Sequence, residues 1–142
     1  SFANGMEFFN TFGGNPVSCS IANEVLKVVK KEKLQKNAEV VGTFFKKELK
    51  KLSKKFSIIG DVRGQGLFLG IEFIDSNMNP LSEESNYIIN RLKEYGILSS
   101  LDGPSNNVIK IKPPLIFSKE DCNYFIFYLH KILKEDFLNK SK

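Results

Sequence analysis

Three stretches of this sequence hold residues that could act on a small charged molecule. The first is "NTFGGNP", Asn10 to Pro16, where Thr11, Gly13 and Gly14 stand just before a helical pattern. Backbone N–H groups at a helix start, approached across glycines, suit an anion, and the Thr11 hydroxyl adds another hydrogen-bonding group. A tight packing corner accounts for the same glycines without a ligand. The second stretch is "NVIKIKPP", Asn107 to Pro114, in which Lys110 and Lys112 fall on one face of an alternating strand. Facing a cleft, they would hold an anionic substrate; on an edge they would be solvated, the preferred reading for Lys112. The third is Arg63, flanked by glycines in "VRGQG". A guanidinium there could anchor a carboxylate or form a structural ion pair.

Other chemistry is missing from the pattern. No Ser/His/Asp arrangement and no P-loop occur, and the glycines of "GDVRGQG" lie between strands rather than opening a helix. Cys19 and Cys122 are far apart, without a CxxC spacing, and His130 is the single histidine, so no metal site is expected. Both thiols are expected to be buried and reduced, and His130 to lie at the surface or rim. The net charge of +5 comes from lysines such as Lys27, Lys30, Lys31, Lys46, Lys47, Lys50, Lys51, Lys54 and Lys55 on two consecutive helical segments. A solvated outer face explains them better than nucleic-acid binding, because no Arg-rich patch appears and the aromatics keep core spacing. No apolar run approaches the roughly 20 residues of a membrane span, and no signal peptide is visible. A cytoplasmic protein without a membrane partner is expected.

The elements that must position these residues follow from periodicity. Asn15 as N-cap and Pro16 in the first turn open a helix whose stripe is Val17, Ile21, Val25 and Val29. A second helix is predicted over about 35–56, with Ala38, Val41, Phe45, Leu49 and Leu52 on one face. A short strand near 58–62, a glycine bend and a longer strand over 66–74 come next. Ser82 is expected to cap a third helix that ends near Tyr95, with Gly96 as the stop. "ILSSL" and "VIKIK" read as strands, and Pro113–Pro114 end the second. Ser118 and Asp121 form a capping-box variant for the last helix, and "LNKSK" is expected to fray. The predicted class is α+β, with a small, mostly antiparallel sheet and helices on one face.

Taken in order, "FFNTFGGNPVSC", "VRGQGLFLGIEF", "YGILSS" and "NVIKIKPPLIFSKEDCNYFI" resemble the C-terminal segment of class III aminotransferases, pyridoxal-phosphate enzymes of fold type I. The resemblance implies a fragment of a longer homodimeric enzyme. Residues 1–34 would be a cofactor-phosphate loop and interdomain helix, and 35–142 the small C-terminal domain. It implies that Thr11, with Asn10, Gly13 and Gly14 beside it, reaches the cofactor phosphate of a neighbouring subunit. The lysine that links the cofactor and the acidic residue that pairs with its ring would precede Ser1, leaving no catalytic residue in this stretch. Lys110 stands where many members carry the Arg of "RIAPP", so Lys110 and Arg63 are the expected substrate contacts. The implied reaction moves an amino group between an amine or amino acid and a 2-oxo acid. The "NVIKIKPP" form also resembles the branch of phospho-lyases acting on phosphorylated amines, which is the alternative.

Overall fold

Asn15 begins the first helix as its chemistry requires. In the computed structural model, which describes Gly5 and residues 9–139 apart from the side chain of Asn139, α1 runs Pro16–Lys31. The Asn15 Oδ1 accepts hydrogen bonds from the N–H groups of Val17 (3.0 Å) and Ser18 (3.2 Å). Lys30 and Lys31 sit in the last turn, where cations suit the carbonyl end. None of the helix is buried: Val17, Ile21, Val25 and Leu26 are all exposed. Cys19 belongs to this uncovered helix and is exposed, which corrects the expectation of a buried thiol. The chain separates into two compact units, one ending at Lys33 and the other beginning at Leu34.

The second unit contains α2 (Leu34–Ser53), β1 (Ile59–Gln65), β2 (Phe68–Phe73), α3 (Ser82–Glu94), β3 (Ser100–Asp102), β4 (Val108–Ile111), α4 (Lys119–Ile132) and α5 (Asp136–Asn139). The four strands form one antiparallel sheet in the order β1-β2-β4-β3. Alternation sorts its residues. Val62, Leu69, Ile71, Phe73, Ile109 and Ile111 face a core shared with Phe45 and Leu49 of α2, Ile88 and Leu92 of α3, and Phe125 and Leu129 of α4. Arg63, Phe68, Gly70, Glu72 and Lys110 alternate with them and remain at least partly exposed. The predicted α+β class, with helices on one side of a small antiparallel sheet, is the observed one.

Several local expectations shift. β1 does not stop at Val62 but continues through Gly64, and the turn is the two-residue loop Gly66–Leu67, with Gly66 at φ 54°. Glycine is the residue that adopts this region without strain, at the first position of a tight hairpin loop. Gly42 of α2 packs directly on that turn, and a Cβ there would overlap the Gly66 carbonyl. Ser82 is not a cap. It lies inside α3, its hydroxyl donates to the Ser105 carbonyl, and the capping position is Leu81 with no side-chain bond. β3 is confined to 100–102, where Ser100, Leu101 and Asp102 find Lys110, Ile109 and Val108 opposite. Ser118 does cap α4. It accepts from the Asp121 N–H (3.1 Å), and Asp121 accepts in return from the Ser118 N–H (2.9 Å). Leu138 is buried and Phe137 stacks on Tyr87 at 4.4 Å, so α5 is packed where fraying was expected to begin. The last residues of "LNKSK" lie outside the described residues.

Candidate functional site

The Thr11 loop is built from its own side chains. Asn10 organises it: its carbonyl accepts from the Gly13 N–H (3.1 Å) and its Oδ1 from the Phe12 N–H (3.2 Å). Gly13 faces the Asn10 side chain, which a Cβ there would crowd at 3.1 Å. Gly14 adopts φ 74° with open space on its side-chain side. Thr11 is exposed. The expectation of free N–H groups at the helix start is corrected, because Asn15 already occupies those of Val17 and Ser18. An anion at this loop would meet the exposed Thr11 hydroxyl, a donor that suits phosphate oxygens, and the open Gly14 corner.

The open face of the sheet gathers the other two candidates. A cavity of about 320 Å³ is lined by Arg63, Phe68, Gly70, Asp102, Val108 and Lys110 among others. The strands explain this convergence. Gly70 pairs with Arg63 on one side and Lys110 on the other, and its missing side chain opens the floor between them. Lys110 and Arg63 therefore share a face, which the strand register sets. Lys112 lies beyond β4 and does not line the cavity.

Neither cation is unopposed. The Lys110 ammonium donates to Asp102 Oδ2 at 2.9 Å. The Lys110 bond, aided by the Gly103 N–H, holds the Asp102 carboxyl below the usual carboxylate range. Arg63 bonds Glu72 across the β1–β2 pair and Asp61 Oδ2 two residues earlier at 3.1 Å. Glu72, and then Asp61, raise the Arg63 pKa further. Two cations thus meet three carboxylates. Sequence reasoning missed Asp102, Glu72 and Asp61. Glu72 was visible in the alternation "LFLGIEF", whereas the Asp102 contact depends on the β3–β4 register.

Cys122 and His130 stand apart from this cavity. Cys122 is buried, and desolvation pushes its thiol up to about 12, so it is a packing residue. His130 is half-buried with its ring edge-on to Phe56 at 5.5 Å, and burial lowers its pKa. Among the described residues, no three His, Cys, Asp or Glu side chains converge as metal ligands. No described helix is long and apolar enough to cross a membrane.

Comparison with known proteins extends the same pattern. Residues 3–133 match the family described as aminotransferase class-III. A Drosophila melanogaster protein named alanine–glyoxylate aminotransferase 2-like is 43% identical over 134 residues, covering 92% of this chain and 27% of its own length. An Arabidopsis thaliana relative named alanine–glyoxylate aminotransferase 2 homolog 2, mitochondrial, is 45% identical over 84% of this chain and 25% of its own. Among solved structures, a phospholyase from Arthrobacter in complex with phosphoethanolamine superimposes with a TM-score of 0.83 at 38% identity. That match covers 89% of this chain and 30% of the other. The chain therefore spans about a quarter of the length of the curated relatives it matches.

Proposed function

Because the chain belongs to the class III aminotransferases, we propose that it serves as the C-terminal part of a longer, homodimeric pyridoxal-phosphate enzyme. In this reading the enzyme transfers an amino group between an amine or amino acid and a 2-oxo acid. The observation that carries it is the continuity of the match, which runs through the Thr11 loop and the open sheet face alike. Residues 1–34 would supply the phosphate loop and the interdomain helix, and 35–142 the small domain. Thr11 would donate its hydroxyl to the cofactor phosphate. Asn10 would hold the loop, and Gly13 and Gly14 would let the phosphate approach. When bound, pyridoxal phosphate supplies the electron sink for chemistry at the amine-bearing carbon. Arg63 and Lys110 would set the charge met by the substrate's far end. A cytoplasmic location belongs to the same proposal.

One observation favours a second reading. Lys110 offers a point charge, already held by Asp102, where a carboxylate clamp would need a two-pronged guanidinium. A substrate without a carboxylate suits that site, and phosphoethanolamine, the molecule in the similar phospholyase structure, has none. Elimination of phosphate from a phosphorylated amine is the alternative activity.

The experiment uses the full-length protein that carries this chain, loaded with pyridoxal phosphate. Amino transfer to glyoxylate, pyruvate or 2-oxoglutarate without phosphate release supports the first reading. Release of inorganic phosphate from phosphoethanolamine supports the second. A protein that takes up no cofactor sinks both.

A further inference from the structure

Away from the open sheet face, a groove of about 790 Å³ runs between α2 and the turn of the β1–β2 hairpin. Its α2 wall carries Lys46, Lys47, Lys50 and Lys51, and Lys54 follows just past the helix end. Lys46 and Lys50 are spaced four apart, as are Lys47 and Lys51, so each pair stacks like charges along one helix face, and Lys54 extends the first row past the helix end. Such pairs disfavour the helix unless an anion answers them. Among the described residues, only one of these lysines pairs with a carboxylate. Lys51 pairs with Glu48 at 2.6 Å, and the groove's single acidic residue, Glu39, pairs with Lys36 at 3.0 Å. Lys46 donates to the Gly64 carbonyl at 2.9 Å, which ties the helix to the opposite wall. Among the described residues, no carboxylate forms an ion pair with Lys46, Lys47, Lys50 or Lys54.

We infer that this groove binds a compact polyphosphate, three or more linked phosphate groups, at a site separate from the one assigned above. Its volume lies in the range of small-molecule sites. Lys46 to the end of α2 at Ser53 spans about 10 Å at 1.5 Å per residue, and Lys54 follows, enough for several phosphates in line. No aromatic side chain lines it, so nucleic-acid bases would find nothing to stack on. Close packing of Gly42 against Gly66 holds the two walls in place. The phosphates could belong to an inorganic chain or to the tail of a nucleoside triphosphate.

The test is calorimetric titration of the full-length protein that carries this chain, loaded with pyridoxal phosphate, with inorganic tripolyphosphate, with ATP and with a short single-stranded oligonucleotide. Tripolyphosphate is expected to bind at one site, and raising salt from about 50 to 200 mM should weaken it roughly tenfold or more. Equal affinity for ATP assigns the phosphates alone as the ligand; tighter binding of ATP assigns the nucleotide as the source. K50E/K54E should lose roughly tenfold or more, K50R/K54R should bind as the parent does, and charge-matched K30E/K31E should stay within about twofold. If K50E/K54E loses its helical circular dichroism, K47E is the substitute, with a smaller loss expected. The inference is overturned if K50E/K54E binds as the parent does, if K30E/K31E loses as much, or if the oligonucleotide binds more tightly than tripolyphosphate.

Discussion

Helix α1 spaces Val17, Ile21 and Val25 four residues apart and leaves all three exposed, whereas α2 spaces Val41, Phe45 and Leu49 in the same way and buries them. Each helix presents an apolar stripe opposite lysines. The difference lies in what meets the stripe. Phe45 of α2 touches Phe125 of α4 edge-on at 5.3 Å and Phe117 at 6.0 Å, and Asn37 donates to the Leu115 and Phe117 carbonyls at 2.8 and 3.0 Å. Full burial of such side chains is worth about 1.5–3 kcal/mol each. Within its own unit α1 has no such packing among the described residues, and a helix of 16 residues is marginal on its cap and propensity alone. Periodicity therefore identifies a helix and its apolar face, but says nothing about the occupant of that face.

The sharpest test of this contrast substitutes one residue in each stripe. Phe45→Ala should lower the urea-derived unfolding free energy by about 3–5 kcal/mol, from lost transfer energy and the cavity left behind. Ile21→Ala should stay within about 0.5 kcal/mol, as surface substitutions do. A cost above about 2 kcal/mol for Ile21→Ala would mean that α1 is covered in the folded chain, and the comparison would fail.

What could be read in advance was what depends on neighbours in sequence. The Asn15–Pro16 start, the Ser118–Asp121 box and the alternation of Leu69, Ile71 and Phe73 involve residues within a few positions of one another, and all three are found. That Arg63 and Lys110 share a face was not read in advance, because it depends on both pairing with Gly70. Two of the failures share a cause, which is distance along the chain. Ser82 looked like a cap until its hydroxyl found Ser105, 23 residues away. The partner of Lys110 is Asp102 because β3 and β4 pair in one register, which no local pattern fixes. Cys19 sits in an apolar pattern, but pattern does not bury a residue. The Thr11 loop was legible as a turn, while the amides expected to be open to a ligand are occupied by Asn10 and Asn15.

A smaller effect separates the two caps. Ser118→Ala removes a hydroxyl that accepts from Asp121 at the start of a helix whose Phe125 and Leu129 are in the core. It should cost about 1 kcal/mol of unfolding free energy. Asn15→Ala removes an equivalent acceptor from α1, but the loss should stay local. Global unfolding is expected to be unchanged, while the Val17 and Ser18 amides exchange faster with deuterium. Equal global losses would show α1 and α4 unfolding as one unit.

The least effect, and the one that isolates the chemistry of the caps, is acid sensitivity. α1 is capped by the amide of Asn15 and has no acidic residue in its first turn, so nothing there titrates. α4 is capped by a box in which Asp121 accepts from the Ser118 N–H and hydroxyl, and these bonds lower its pKa from the usual 3.8. A carboxyl whose folded pKa is depressed stabilises fully above its unfolded value and loses that contribution as pH falls through the folded one. Amide protection at the start of α4 should therefore hold down to about pH 4 and decline below it, while protection at the start of α1 stays level. Asp121→Asn keeps an acceptor for the Ser118 N–H but cannot be protonated in this range, so it should flatten the acid decline in α4. A decline of the same depth in α1, or one that survives Asp121→Asn, would place the acid-sensitive group elsewhere. Asp102, lowered in the same direction by Lys110, is then the next residue to substitute.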